Sequence, residues 1–256
     1  MKSSLPLLLL CVTTAAMADS AFDGTWKTAL KTVKMTGKPD VYALTKDEYV
    51  CSSCSPELRI KPDGADHAVT GHAYYDTASA KITGPNSDEV VLKKDGKEFG
   101  RYADTVSADG NTLTTKWINH QGDKDLSGVN TEKRVSAGPA GSHPVSGSWQ
   151  QEGFDANDAL RTVEFRMSAD GFQEHWNGEG YDAKFDGKEY PMNGDPGKTT
   201  VVLKKLNDQT VEELDHRGGK LVDRIRMTAS KDGKTIAVRD EDLAHGQTQS
   251  YTLVKQ

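Results

Sequence analysis

Gly24-Thr25-Trp26 returns as Gly147-Ser148-Trp149, 123 positions further along the chain. The same offset pairs other identical residues, among them Asp63-Gly64 with Asp186-Gly187, Gly96-Lys97 with Gly219-Lys220, Arg101 with Arg224, and Asp109-Gly110 with Asp232-Gly233. Identity at one fixed spacing over most of a chain indicates an internal duplication. The sequence therefore predicts two copies of one fold, each beginning at a Gly-x-Trp.

Short runs rich in Val, Thr and Tyr alternate with turn dipeptides along both copies. Asp-Gly and Gly-Gly are typical of tight hairpins because they accept positive φ angles. No window has the apolar spacing of an amphipathic helix of four turns. The pattern predicts an all-β protein of two tandem antiparallel meander β-barrels, with about eight short strands each.

The clearest strand alternation lies near the end of the second copy. It places Ile225 and Met227 on one face and Arg224 and Arg226 on the other. Asp223 falls on the apolar face. It is therefore either a carboxylate that lines a cavity or a sign that the assumed register is shifted by one residue.

The first 18 residues have the features of a secretory signal peptide. A positive start precedes a short apolar stretch, and Ala16-Met17-Ala18 fits a small-residue cleavage site. This predicts an exported protein, periplasmic or secreted, after cleavage near Ala18. The repeats then occupy residues 19–136 and 147–256, and residues 137–146, which carry Gly, Pro and Ser, are the predicted linker.

The composition excludes two classes of partner. The formal net charge is −6, and the lysines are scattered, so no basic patch for nucleic acid is expected. No segment approaches the roughly 20 apolar residues of a membrane span. The sequence indicates no cofactor, and it does not identify a protein partner.

A Gly-x-Trp in the first strand, followed by a meander of short antiparallel strands, resembles the lipocalins and the wider calycin group. The tandem arrangement is similar to that of secreted bacterial proteins with lipocalin-like repeats. The resemblance implies that each tryptophan closes one end of a barrel and that a basic residue of the last strand packs across its ring. It pairs Trp26 with Arg134 in the first repeat and Trp149 with Lys255 in the second.

Cys51-Ser52-Ser53-Cys54, together with His67 and His72, has the spacing of a zinc finger. The second repeat has Glu174 and Asn177 in place of the cysteines, so the fold does not need a metal there. Two nearby thiols of an exported protein normally pair. We expect a disulfide between Cys51 and Cys54, with a metal site or a redox-active dithiol as the alternatives.

Both repeats keep an arginine at the same strand position, Arg101 and Arg224. If these arginines point into the barrels, they hold the carboxylate of an acidic apolar ligand, as inward arginines do in the fatty-acid-binding relatives of lipocalins. If they face solvent, Glu89 and Glu212 on the neighbouring strand are their cross-strand partners.

Four aromatic residues are candidates for ligand contact or for a surface role. Tyr74 and Tyr75 follow a glycine, where they either line a barrel mouth or pack half-buried. Trp117 and Trp176 have no tryptophan at the equivalent position of the other repeat. This difference points to a role specific to one repeat.

Motifs of nucleophile elbows, zinc proteases, phosphate loops and dinucleotide binding are absent from the sequence, so a non-enzymatic protein is expected. The first hypothesis is a binding protein for a small apolar or amphipathic ligand in one or both barrels, which requires a cavity above roughly 300 Å³. The second is a structural or interaction protein of the cell envelope, which predicts an exposed aromatic patch of Tyr74, Tyr75 or Trp176. The third is a metal or redox protein that uses Cys51 and Cys54.

Overall fold

The computed structural model describes residues 20–256, so the predicted signal peptide, residues 1–18, lies outside the described residues. Regular structure in the described part is almost entirely β, with one short helix at Asp158–Arg161 and one 3-10 turn at Leu30–Thr32. The prediction of an all-β fold with two tandem antiparallel barrels is confirmed, and both barrels are nearly closed. No helix within residues 20–256 is long and apolar enough to cross a membrane.

The strands, numbered in chain order, form two sheets. The first sheet contains β3 (Asp40–Leu44), β4 (Tyr49–Cys51), β5 (Leu58–Ile60), β6 (His67–Ala68), β7 (Thr77–Gly84), β8 (Ser87–Lys94), β9 (Lys97–Val106), β10 (Thr112–Asn119), β11 (Leu126–Ala137) and β12 (Gly147–Ala156). The second contains β1 (Gly24–Thr28), β2 (Lys34–Gly37), β13 (Thr162–Met167), β14 (Gly171–Trp176), β15 (Glu179–Lys184), β16 (Tyr190–Pro191), β17 (Thr200–Asn207), β18 (Thr210–Arg217), β19 (Lys220–Ala229), β20 (Thr235–Asp242) and β21 (Gln247–Lys255). The first sheet exceeds the predicted eight or so because it includes three pieces of two or three residues, β4, β5 and β6. The second sheet includes one such piece, β16, and ten strands of four or more residues.

The two barrels exchange their first strands relative to the sequence repeats. β1, which carries Trp26, lies between β13 and β21, with Gly24 opposite Phe165. β12, which carries Trp149, lies between β3 and β11, with Gly147 opposite Tyr42. Tyr42 and Phe165 are equivalent in the repeat. Each Gly-x-Trp strand therefore completes the barrel of the other copy, and it does so in the same register.

The sheets divide the chain at different points from the repeats. The first barrel is continuous from residue 40 to residue 156, whereas the second combines residues 24–37 with residues 162–255. The repeat-based ranges, 19–136 and 147–256, cut across both sheets. Residues 137–146, predicted as the linker between repeats, connect β11 to β12 within the first sheet, and Val145 in this segment is fully buried.

Trp26 and Trp149 are fully buried, each in the core of the barrel that its strand completes. Each indole N–H donates to the carbonyl four residues earlier, at 2.7 Å in Trp26 and 2.8 Å in Trp149. Arg134 lies over Trp149, with its guanidinium carbon 3.9 Å from the ring centroid, and Lys255 Nζ lies 5.5 Å from that of Trp26. The expected pairs, Trp26 with Arg134 and Trp149 with Lys255, are wrong because β11 and β21 pair with the exchanged strands.

Candidate functional site

A cavity of about 340 Å³ lies inside the first barrel. Alternate residues of two strands face it, Val90 and Leu92 from β8 and Tyr102 and Asp104 from β9, because successive strand residues point to opposite faces. Thr115 on β10 donates a hydrogen bond of 2.5 Å to Asp104. The first barrel therefore encloses a space with mostly apolar and aromatic walls and one buried polar pair.

Five tyrosines line this cavity: Tyr42 from β3, Tyr49 from β4, Tyr102 from β9, and Tyr74 and Tyr75 from the loop before β7. The rings of Tyr42 and Tyr49 stack with centroids 6.4 Å apart, and Tyr75 stacks on His72 at 4.3 Å. Burial raises the pKa of the Tyr42 and Tyr49 hydroxyls well above the usual value. These hydroxyls therefore stay neutral and can donate hydrogen bonds to an occupant.

The mouth of the cavity is built from both halves of the chain. Arg217, at the end of β18, donates to the Tyr74 hydroxyl at 2.7 Å and to Thr199 Oγ1 at 3.2 Å. A Cβ at Gly197 would lie 2.8 Å from the Tyr74 ring, so only glycine allows this close approach. His245 of the second half also lines the cavity. The second barrel thus helps to shape the opening of the first.

Three carboxylates lie buried on the inner side of the first barrel. Asp88 is directly opposite Asp104 across β8 and β9, and neither of its carboxylate oxygens has a hydrogen-bond partner. Burial, followed by the charge of Asp104, raises the pKa of Asp88 to about 8. Burial raises the pKa of Asp104 to about 6, against the hydrogen bond from Thr115, and that of Glu132 to about 8.

The second barrel has a cavity of its own, of about 300 Å³. Its lining includes the rings of Trp176 and Tyr251 and the carboxylates of Glu174 and Asp240. Burial is the main reason why the pKa of each of these carboxylates is raised to about 7. Both barrels therefore combine aromatic walls with desolvated acids.

Asp223 lies on the inner face of β19 together with Ile225 and Met227. It is directly opposite Asp215 on β18. Burial raises its pKa to about 6. The assumed register is therefore not shifted and Asp223 faces inward, but it is not among the residues that line the two barrel cavities.

Arg101 and Arg224 lie on the outer faces of the barrels, and neither is among the residues that line the two barrel cavities. Arg101 forms ion pairs with Glu89 at 2.8 Å and with Glu98 at 2.7 Å. Arg224 is 3.5 Å from Glu241, while Glu212 pairs with Arg226 at 2.8 Å. The cross-strand partner expected for Arg101 is present, and that of Arg224 is a different glutamate.

Cys51 and Cys54 form the predicted disulfide. Cys54 lines the first cavity, and so does His72, whereas His67 is hydrogen-bonded to Asp63 at 2.9 Å. Because both thiols are consumed in the disulfide, the four residues do not form a zinc site in this state. Among residues 20–256 there is no group of three or more His, Cys, Asp or Glu side chains arranged to hold a metal ion.

The aromatic candidates are divided between the two barrels. Tyr74 and Tyr75 line the first cavity, and Trp176 lines the second, so these three do not form one surface patch. Trp117 donates a hydrogen bond of 3.1 Å to Asn130 and stacks near Phe154. Its role in the first barrel is one of packing.

The cavity residues Tyr42, Tyr49, Tyr102 and Asp104 were not anticipated from the sequence, and neither was Asp88, which pairs with Asp104 across the strands. A signal for the carboxylates was present, because Asp88 alternates with Val90 and Leu92 as Asp223 does with Ile225 and Met227. An acid in an apolar alternation indicates an inward-facing carboxylate. The tyrosines had no such signal, because tyrosine is an ordinary strand residue.

Comparisons with models of protein families, with curated proteins and with solved structures find no match to this chain. Function is therefore inferred from the fold and from the chemistry of the cavities alone.

Proposed function

We propose that this chain is an exported, non-enzymatic binding protein that holds a small amphipathic ligand in the cavity of the first barrel. The observation that carries the proposal is the cavity itself: about 340 Å³, walled by tyrosine rings, with the buried carboxylate of Asp104 among its lining residues. Binding sites for small molecules are typically concave and mostly apolar, with a few polar groups that orient the ligand.

The walls explain why the ligand would be amphipathic. Val90, Leu92 and the tyrosine ring faces offer apolar contact, while the tyrosine hydroxyls and the Asp104–Thr115 pair offer hydrogen bonds. A purely apolar ligand would give the buried carboxylate no partner beyond Thr115, and a desolvated carboxylate with so little compensation is unfavourable. An amphipathic ligand meets both kinds of surface.

Export is supported by two features. The first 18 residues have the pattern of a signal peptide, and a disulfide is typical of proteins in oxidising compartments. We place the protein in the periplasm or outside the cell. A lipocalin-like relationship is part of the same proposal, since a nearly closed antiparallel barrel with a buried Gly-x-Trp supports it.

Native mass spectrometry of the protein purified from the export compartment tests this proposal. We expect an organic adduct that is lost on denaturation. Ala73→Trp, which adds an indole to the cavity lining, should lose most of the adduct. Thr105→Trp adds the same group to the outer face of β9 and should retain it.

Two results would contradict the proposal. One is a bare mass for the wild-type chain together with failure of the cavity to take up any small aromatic probe. The other is an adduct that Ala73→Trp leaves in place, because the ligand would then lie outside the first barrel.

A further inference from the structure

The interior carboxylates of the first barrel differ from the acids on its outer face. Glu89, next to Asp88 in sequence, faces outward and pairs with Lys81 at 3.0 Å and Arg101 at 2.8 Å. Asp88, at 1% exposure, has no partner for either oxygen. Among the ion pairs of the described residues, none includes Asp88, Asp104 or Glu132.

A buried carboxylate without a cation is unfavourable, because desolvation is not offset by an opposite charge. The barrel nevertheless places Asp104 against an open cavity and Asp88 directly beside it. A positive charge inside the cavity would offset the desolvation of both. Within residues 20–256, the cationic side chains that reach the cavity lie at its mouth, where Arg217 is held by Tyr74 and Thr199.

The second observation is the set of rings around the same space. Tyr42, Tyr49, Tyr75 and Tyr102 all line the cavity that Asp104 faces. Aromatic faces attract cations through the ring quadrupole, and cages of such rings recognise organic ammonium groups. This chain already uses that contact elsewhere, with Arg134 lying 3.9 Å over the ring of Trp149.

We infer that the ligand of the first barrel is a small organic cation, whose ammonium group lies among the tyrosine rings against the carboxylate of Asp104. This inference rests on the proposed binding function of the same cavity and adds the chemical class of the ligand. The mouth, with Arg217 and His245, repels the charged head, so the head lies inward and the uncharged part of the ligand faces the mouth.

Binding of a cation should be linked to protons. The pKa of Asp88 is raised to about 8 and that of Asp104 to about 6, so between pH 5.5 and pH 8 Asp104 becomes ionised and Asp88 becomes about half ionised. An alkyl ammonium ion keeps its charge over this range. Affinity should therefore increase with pH, at least fivefold between pH 5.5 and pH 8.

Other titratable groups lie near this pair. A hydrogen bond to Asp242 raises the pKa of His245, and loss of the His245 proton as the pH rises also favours binding of a cation. The titratable and charged groups around the cavity are Asp40 and Tyr42 on β3, Tyr49 on β4, Asp88 on β8, Tyr102 and Asp104 on β9, Glu132 on β11, His72, Tyr74 and Tyr75 in the loop before β7, Arg217 on β18 and His245 before β21. Asp104→Asn should remove the contribution of Asp104 to the pH dependence, whereas those of Asp88 and His245 would remain.

Isothermal titration calorimetry with two probes of nearly equal shape tests the inference. The 2-phenylethylammonium ion carries the charge, and 2-phenylethanol is its neutral counterpart. We expect the ammonium ion to bind at least tenfold more tightly at pH 7.5. Asp104→Asn should weaken its binding at least tenfold and leave 2-phenylethanol within twofold, whereas Glu89→Gln, on the outer face, should change neither.

A second pair of variants protects the test if Asp104→Asn does not fold. Tyr102→Leu should weaken binding of the ammonium ion several-fold. Tyr102→Phe, which keeps the ring face, should retain the wild-type affinity for it. Equal affinity for both probes, or unchanged ammonium binding in Asp104→Asn or Tyr102→Leu, would overturn the inference and leave the proposed binding function intact. If neither probe binds, the adduct seen by native mass spectrometry decides between two outcomes. A neutral or acidic adduct overturns the inference of a cationic ligand and leaves the binding function intact. A missing adduct overturns the binding function as well.

Discussion

Trp26→Ala should weaken the second barrel, although Trp26 belongs to the first sequence repeat. The indole is fully buried in the core of that barrel, and its strand, β1, lies between β13 and β21. A buried tryptophan removes about 200 Å² from water, worth about 5 kcal/mol at about 25 cal/mol/Å². The alanine that remains and the relaxation of the site reduce this figure, so we expect a loss of about 4 kcal/mol in the free energy of unfolding.

Hydrogen exchange measured by mass spectrometry localises the effect. In Trp26→Ala, amides of β13 and β21 should lose protection while those of β3 and β11 keep it. Trp149→Ala should give the reverse pattern, because Trp149 lies between β3 and β11. It should also release Arg134, which donates to the carbonyls of Ser146 and Pro144 beside the ring.

Each tryptophan variant is the control for the other, since the two residues are equally buried and make the same indole hydrogen bond. If Trp26→Ala instead exposes β3 and β11 and spares β13 and β21, each Gly-x-Trp strand lies in its own repeat. The strand exchange would then be incorrect.

Three further predictions concern autonomy, pH and the disulfide. A fragment of residues 38–157 should unfold cooperatively in urea, whereas residues 19–136, which lack β12, should show no cooperative transition by circular dichroism. The folded-state pKa of Asp88 is raised to about 8, so the folded protein holds a proton that the unfolded chain releases, and stability falls as the pH rises above about 4. The difference in free energy of unfolding between Asp88→Asn and wild type should therefore increase by about 3 kcal/mol in favour of the variant from pH 5 to pH 7, measured by urea unfolding. An equal difference at both pH values would refute the burial of an ionisable Asp88. The double variant Cys51→Ser/Cys54→Ser should lose about 2 kcal/mol of free energy of unfolding, the value for a disulfide that closes so short a loop. Amide hydrogen exchange in β13 to β21 should be unchanged.

The fold class could be predicted from the sequence because its signals are local. Asp-Gly turns and Val- and Thr-rich runs fix hairpins through the backbone conformations that those residues prefer. The strand exchange has no local signal. Trp26 and Trp149 occupy equal positions, and Gly24 meets Phe165 as Gly147 meets Tyr42, so either strand fits either barrel. The path of the chain between β1 and β3 decides between them.

The cavity was predictable only in part. For Tyr74 and Tyr75 the sequence left open a barrel mouth or half-buried packing, and in the structure they line the first cavity. Arg217 is separated from Tyr74 by most of the chain, and their hydrogen bond depends on how the two halves meet. No periodicity within one strand contains that information, because it arises from tertiary packing.

The two barrels carry interior carboxylates at different positions. Asp88 and Asp104 correspond to Val211 and Met227 in the other repeat, and Glu213 and Asp215 correspond to Val90 and Leu92. Structural features such as the buried tryptophans and the Asp-Gly turns are retained in both copies, whereas each of these acids is replaced by an apolar residue in the other. The fold therefore forms without an acid at these positions, and burying one is unfavourable. Of these four acids, Asp104 lines a barrel cavity, and its presence there is better explained by the proposed ligand of the first cavity than by folding.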